Sequence, residues 1–357
     1  MIDQNQIKLP DMALLLPWYE ANKRDLPWRH TRDPYRIWVS EIMLQQTRVE
    51  AVIPYYQRFL SRLPDVSALA ACPEEELMKL WEGLGYYSRV RNMQKAAKTI
   101  MSGYGASFPQ TYEEILSLCG IGEYTAGAIA SFAFDLPYPA VDGNVLRVVA
   151  RLAAFEQDVL APASKKLLTA AVVAAQPEDR AADFNQAMIE LGATVCLPNG
   201  APRCEACPLA RDCAARRLGM QQSLPIRKKS APRKTEERTV LILRCGDTVA
   251  LRKRPERGLL AGLFEPFSCL GRLNEAEVGA MLAAAGVAPL RIAPLGEAKH
   301  IFTHIEWHMT GFEVILDEKS AITVCEKLDA ELFFAPRDEI DGMFAVPSAY
   351  RFYRPFM

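Results

Sequence analysis

Apolar residues recur at intervals of three and four from Leu14 to about Leu218, in a background rich in alanine, and this spacing predicts a helical domain. Asp33-Pro34 has the form of an N-cap followed by a first-turn proline, so a helix is expected to carry Ile37, Trp38, Glu41 and Ile42. Thr47-Arg48-Val49-Glu50 has capping-box spacing and is expected to open the next helix. Pro73-Glu74-Glu75-Glu76 places acids at another helix start, where the macrodipole favours them. The pattern changes after Pro225. Residues 226–238 are charged and proline-containing and read as a linker. Beyond them, Thr239-Val240-Leu241-Ile242-Leu243, Thr248-Val249-Ala250-Leu251 and Gly311-Phe312-Glu313-Val314-Ile315-Leu316 read as strands, with helical stretches near Glu275–Ala285 and Ala321–Leu328. The expected architecture is an all-α domain over residues 1–225, followed by a smaller α+β domain over residues 239–357.

A chain of 357 residues, half of them hydrophobic and about a quarter charged, is long enough for two domains with sizeable cores. No apolar run is long enough to cross a bilayer, and Met1-Ile2-Asp3-Gln4 lacks the basic-then-apolar layout of a signal peptide. A cytoplasmic protein with no membrane partner is therefore expected. The net charge of -1 does not advertise a nucleic-acid binder, but DNA responds to local rather than summed charge. Arg227, Lys228, Lys229, Arg233, Lys234 and Arg238 form one basic stretch, open to reading as a solvated linker or as a contact to DNA backbone.

The nine cysteines are not spread like a disulfide framework. Cys196, Cys204, Cys207 and Cys213 fall within eighteen positions, whereas Cys72, Cys119, Cys245, Cys269 and Cys325 are isolated. Four clustered thiols point to a metal centre in a reducing compartment, and both zinc and [4Fe–4S] accept four thiolates.

Two further segments carry chemistry. In residues 118–126, Gly120 and Gly122 flank Ile121, which allows a tight hairpin whose amides, at a following helix start, can face a phosphate. The run through Gly127, Ala128 and Ala130 behind it lets helices approach closely. Then Pro139-Ala140-Val141-Asp142-Gly143-Asn144-Val145 sets an acid before Gly-Asn, suited to capping a helix. Glu41, among Ile37, Trp38, Ile42 and Met43, is expected to have a raised pKa and stay protonated. Asp142, beside helix-start amides and Asn144, is expected to stay ionised.

The hairpin, the Val141-Asp142 step and the cysteine set, in this order, resemble the helix-hairpin-helix DNA glycosylase superfamily. Leu26-Pro27-Trp28-Arg29, Ser40-Glu41-Ile42-Met43-Leu44-Gln45-Gln46-Thr47, Gly83-Leu84-Gly85-Tyr86-Tyr87-Ser88-Arg89 and Phe184-Asn185-Gln186-Ala187-Met188 resemble its MutY branch. Gly258-Leu259-Leu260-Ala261-Gly262-Leu263-Phe264-Glu265 and Phe302-Thr303-His304 are similar to that branch's Nudix-like domain. The resemblance implies a two-lobed helix-hairpin-helix domain holding a [4Fe–4S] cluster on Cys196, Cys204, Cys207 and Cys213, then a Nudix-like recognition domain. It departs from the branch at one point, since seven residues rather than the usual six separate Cys196 from Cys204, in a Pro/Gly-containing loop.

The resemblance also implies an activity: hydrolysis of the N-glycosidic bond of adenine opposite 8-oxoguanine or guanine in duplex DNA, by a monomer of the bacterial cytosol or nucleoid. Glu41 would protonate the adenine and later help activate water. Asp142 would stabilise the oxocarbenium-like sugar or bond to it, and Tyr124 and Asn144 would complete the catalytic set. Trp28, Arg29 and Gln186 would line the adenine pocket. Gln46 and Tyr86 would wedge the duplex, Gly120 and Gly122 would face its backbone, and Phe302, Thr303 and His304 would recognise the oxidised guanine. An endonuclease III-like lyase is the nearest alternative, but it needs an amine nucleophile where this chain has Tyr124. A non-catalytic damage-binding module is a second, weighed against by the presence of both carboxylates. His300, His304 and His308 repeat every four residues, but their β-branched and aromatic neighbours predict extended chain rather than a helical metal face. No Arg-Glu-x-x-Glu-Glu stretch is present in the second domain, so recognition rather than nucleotide hydrolysis is expected there.

Overall fold

The helix signals resolve, in a computed structural model that describes residues 7–228 and 232–357, into twelve α-helices before Pro225. Lys229 of the basic stretch and Met1-Ile2-Asp3-Gln4 lie outside the described residues. The helices are α1 (Leu15–Asn22), α2 (Pro34–Leu44), α3 (Val49–Arg62), α4 (Val66–Ala71), α5 (Glu74–Leu80), α6 (Ser88–Gly103), α7 (Tyr112–Ser117), α8 (Glu123–Phe134), α9 (Gly143–Leu152), α10 (Pro162–Ala175), α11 (Ala181–Thr194) and α12 (Ala214–Arg217). Asp33 caps α2 as expected, accepting from the Tyr35 N–H at 2.9 Å. The expected capping box at Thr47 does not form. Arg48 is the N-cap of α3 and makes no side-chain cap bond, because Gln46 takes a left-handed turn (φ 61°) that ends α2 and directs the chain past Thr47.

By packing, the chain divides into two compact units, Met1–Ala71 with Arg91–Ser230, and Cys72–Val90 with Ala231–Met357. α5 and the turn after it fall in the second of these units. The physical reason is polar. Lys79 Nζ donates to Phe344 O at 3.0 Å, and Glu82 accepts from Arg354 and from the Val346 N–H.

In the first unit, α9 is buried on nearly every side. Val145, Val148, Val149 and Leu152 pack against Leu168 and Val172 of α10, Phe184, Met188 and Leu191 of α11, and Leu15 and Tyr19 of α1. Close approach needs two glycines. A Cβ at Gly127 would stand 2.0 Å from Pro139 O, and one at Gly192 would stand 2.6 Å from Asn144 Cβ.

The second unit is built on a seven-stranded mixed sheet. Its strands are β1 (Lys234–Cys245), β2 (Thr248–Lys253), β3 (Phe264–Glu265), β4 (Phe267–Leu270), β5 (Arg291–Ile301), β6 (Ile305–Ile315) and β7 (Leu332–Pro336), with α13 (Glu275–Ala284), α14 (Glu318–Thr323) and α15 (Arg337–Met343) between and after them. The central order is β3-β2-β1-β6-β5, with β4 on β1 and β7 on β2, and β1 runs parallel to β6. Side chains alternate between faces along a strand, and here both faces are covered. Val240, Ile242, Trp307 and Met309 pack with Tyr350 and Tyr353 on one side. Leu241, Leu243, Phe312 and Val314 pack with Val278 and Leu282 of α13 on the other. The linker reading of residues 226–238 is corrected at its far end. β1 begins at Lys234, and the Arg238 guanidinium lies 4.4 Å from the buried Trp307 ring rather than in solvent.

Candidate active site

Glu41 sits in the last two turns of α2 with only 5% of its surface exposed. Its Oε2 accepts a 2.7 Å hydrogen bond from the hydroxyl of Tyr124, in the first turn of α8. Burial pushes the Glu41 carboxyl up to about 7, the Tyr124 bond pulls it down, the charge of Asp142 raises it and that of Arg29 lowers it. The upward direction follows from the apolar neighbours read in the sequence. Trp28, Arg29, Glu41, Tyr124 and Gln186 line one cavity of about 80 Å³. Chain positions from 28 to 186 thus meet at a single site.

Asp142 is the N-cap of α9, so its structural role as a cap is realised. Its Oδ1 accepts from the N–H groups of Asn144 and Val145, each at 2.8 Å, and its Oδ2 accepts from Asn144 Nδ2 at 2.6 Å. Desolvation pushes the carboxyl above its ordinary value, against these three bonds and the charge of Arg147. Helix-start amides and Asn144 were legible in the sequence as favouring the anion, whereas the desolvation that opposes them was not.

Several supporting residues escaped the sequence reading. Glu190, fully buried one turn after Gln186 on α11, accepts from Arg24 Nε at 2.8 Å and from Arg29 Nη2 at 2.8 Å. Burial pushes its carboxyl up, but the bonds from Arg24 and Arg29 outweigh that and hold it at about 2. The Tyr19 hydroxyl donates to Gln186 Oε1 at 2.8 Å. Arg147 Nη2 donates to Asn144 Oδ1 and to Gly192 O, both at 2.8 Å. An acid inside Met188-Ile189-Glu190-Leu191, one helical turn from Gln186, was the available signal for Glu190.

The four cysteines line one small cavity with Val148, Leu152, Leu191 and Val195, so the longer loop from Leu197 to Arg203 does not separate Cys196 from the others. The loop folds back through an Arg203 N–H bond to Val195 O at 2.9 Å, with Gly200 left-handed (φ 74°). Burial raises the thiols of Cys204, Cys207 and Cys213, that of Cys207 to about 11. Arg151 Nη1 donates to Cys196 Sγ at 3.3 Å. Among the described residues no three His, Cys, Asp or Glu side chains converge tightly enough to hold one metal ion.

Gly120 is left-handed (φ 79°) between α7 and α8, with Ile121 buried and Gly122 as the N-cap of α8. Gln46 in the first unit and Tyr86 in the second are exposed, left-handed, non-glycine residues (φ 61° and 47°). Such conformations are uncommon outside glycine and cluster at functional sites. Phe302, Thr303 and His304 form the turn between β5 and β6. The Phe302 ring packs 4.8 Å from that of Trp307, and Thr303 and His304 are exposed. The turn is tied to the basic stretch by Arg233 Nε to Phe302 O and by the Lys234 N–H to His304 O, both 3.1 Å. His300 and His308 lie on strands, as extended chain requires.

Comparison with known proteins adds the following. Residues 39–172 match the HhH-GPD superfamily of base excision DNA repair proteins, and residues 238–352 match the NUDIX domain. The chain is 37% identical to the adenine DNA glycosylase of Mus musculus, over 87% of this chain and 71% of that protein. It is 34% identical to that of Buchnera aphidicola subsp. Baizongia pistaciae, over 86% of each. The solved structure of a thermostable thymine-DNA glycosylase aligns with a TM-score of 0.52 at 28% identity, covering 58% of this chain and 95% of its own.

Proposed function

We propose that this chain, which belongs to the MutY-type adenine DNA glycosylase family, removes adenine paired with 8-oxoguanine or guanine from duplex DNA by simple hydrolysis. The general activity, a base excision repair glycosylase that hydrolyses N-glycosyl bonds, follows from the family. The observation that carries the finer reading is the buried, hydrogen-bonded Glu41 in the cavity shared by Trp28, Arg29, Tyr124 and Gln186. A carboxyl with a pKa near 7 is poised to give a proton to a ring nitrogen of the departing base. The C1′–N bond then breaks with its electron pair going to the base, and Asp142 faces the positive charge left on the sugar. Three donated bonds favour its anion against desolvation. Water adds to C1′ and returns a proton to Glu41. Tyr124, in the cavity lining, occupies the hairpin position at which a lyase of this superfamily would carry its amine nucleophile, which supports a monofunctional enzyme.

The four thiols fit a [4Fe–4S] cluster. They line one cavity among apolar neighbours, and four cysteine thiolates, one per iron, are the ligand set such a cluster takes. When bound, the cluster supplies a covalent staple for residues 196–213. In the second unit, Phe302, Thr303 and His304 present two exposed polar side chains on an anchored turn, suited to reading one altered base edge. No helix is long and apolar enough to cross a membrane among the described residues, and a monomer acting in the cytosol or nucleoid accords with the proposed task.

The test is strand cleavage after alkali on duplexes bearing adenine opposite 8-oxoguanine, adenine opposite guanine, or thymine glycol. Release of adenine from the first two, fastest from the first and with no strand break before alkali, is expected. Cutting at thymine glycol, or breaks without alkali, would sink the reading.

A further inference from the structure

The turn that carries Tyr86 is more heavily constrained than a wedge residue alone requires. Gly83, Gly85 and Tyr86 are all left-handed, at φ 96°, 68° and 47°. Trp81 Nε1 donates to Gly85 O at 3.0 Å, and Arg89 Nη2 donates to Leu84 O at 3.0 Å. Glycine takes such angles freely, so of the three it is Tyr86 whose backbone must be held by its surroundings. Just before the turn, Glu82 reaches the C-terminal segment of the chain. Its Oε1 accepts from Arg354 and, at 3.2 Å, from the Val346 N–H, while Arg354 Nε is held by Asp341 at 2.8 Å. At the other end of the turn, the Tyr86 hydroxyl lies 2.9 Å from Thr303 Oγ1. Tyr86 as a whole is 52% exposed, so a base can reach it.

We infer that Glu82 is a specificity-determining positioning residue that locks the Tyr86 turn to the Phe302–His304 turn, so that wedge and lesion reader engage DNA as one body. The inference rests on the proposed recognition of 8-oxoguanine by Thr303 and its neighbours. Tyr86 and Thr303 lie far apart in sequence, and their hydroxyls meet only if the Gly83–Tyr86 turn is held from behind. Glu82 is the acid that holds it, with 17% of its side chain exposed and a guanidinium and a backbone amide both spent on it. With Glu82 loosened, the Tyr86 ring can still stack, but Thr303 loses the partner that orients its hydroxyl. The loss falls on discrimination between 8-oxoguanine and guanine rather than on adenine release.

The test uses the full chain and single-turnover adenine release on adenine:8-oxoguanine and adenine:guanine duplexes, with thermal unfolding as the control. Wild type is measured first. Equal rates on the two duplexes would end the lesion-reading assignment itself, and this inference with it. Given a wild-type preference, E82A should lower the ratio of the two rates about tenfold, the scale of one lost polar contact to a base edge. Its rate on adenine:guanine should stay within about twofold. E82Q, which still accepts from Arg354 and the Val346 N–H, should keep most of the ratio. R354Q carries the same test from the other side of the pair should E82A fail to fold. An unchanged ratio in E82A, or in R354Q in that case, overturns the inference. So does an equal slowing on both duplexes, which would mark a merely structural role.

Discussion

Tyr124 donates to the carboxyl proposed as the proton donor, its hydroxyl lying 2.7 Å from Glu41 Oε2. This bond favours the carboxylate and so holds the Glu41 pKa below the value that burial alone would impose. The acid form is required, so the rate of adenine release should fall as pH rises through about 7. Y124F removes a bond that favours the anion, raises the Glu41 pKa, and should move that descending limb to higher pH. Single-turnover rates between pH 5 and pH 9 check it, the range being about two units either side of the Glu41 pKa. A limb that stays in place in Y124F would mean that another group sets it.

D142N keeps the shape of the α9 cap and an oxygen for the Asn144 and Val145 N–H groups, but removes the charge facing the sugar cation. Adenine release should fall by at least about 10³-fold, with binding to lesion DNA little changed. E41Q should lose about 10²- to 10⁴-fold, because an amide cannot deliver the proton. Gel-shift titration and single-turnover kinetics on the same preparations separate binding from chemistry. Either variant retaining substantial activity refutes the role given to that residue.

Glu190 is the anchor beneath Arg29. Replacing it by glutamine leaves Arg24 and Arg29 without their buried counter-charge, which typically costs about 3–5 kcal/mol. The carboxyl is held at about 2 in the folded chain against an ordinary 4.5, so its stabilisation is fully present above about 4.5 and is lost as pH falls towards 2. Urea unfolding of wild type and E190Q should therefore differ most near pH 7 and converge as the pH drops below about 4.5. A gap that is constant with pH would show that the charge of Glu190 contributes nothing.

Purified protein should be brown and carry about four irons per chain, as a four-cysteine cubane requires. C204S should lower the iron content and destabilise residues 196–213 without altering the fold of the second unit, followed by hydrogen exchange. Colourless protein with stoichiometric zinc would assign the thiols to a different metal.

Much of this molecule was legible in its residues because the physics concerned is local. A capping Asp33 or Asp142, a glycine turn at Gly120 and the alternation of Val240, Leu241, Ile242 and Leu243 are decided within a few residues of themselves. So is the short spacing of Cys204 and Cys207, and the apolar neighbours of Glu41 announce its raised pKa because burial is written into helical spacing. What the tertiary structure decided depends on partners far along the chain. The bond from Arg29 to Glu190 spans 161 residues, that from Tyr86 to Thr303 spans 217, and that from Arg354 to Glu82 spans 272. No periodicity encodes such pairs. Such pairs hold α5 and the Tyr86 turn with the rest of the second unit. A side chain's local preference is set by its neighbours in sequence, whereas its charge state and its partner are set by whatever the fold brings within hydrogen-bonding distance.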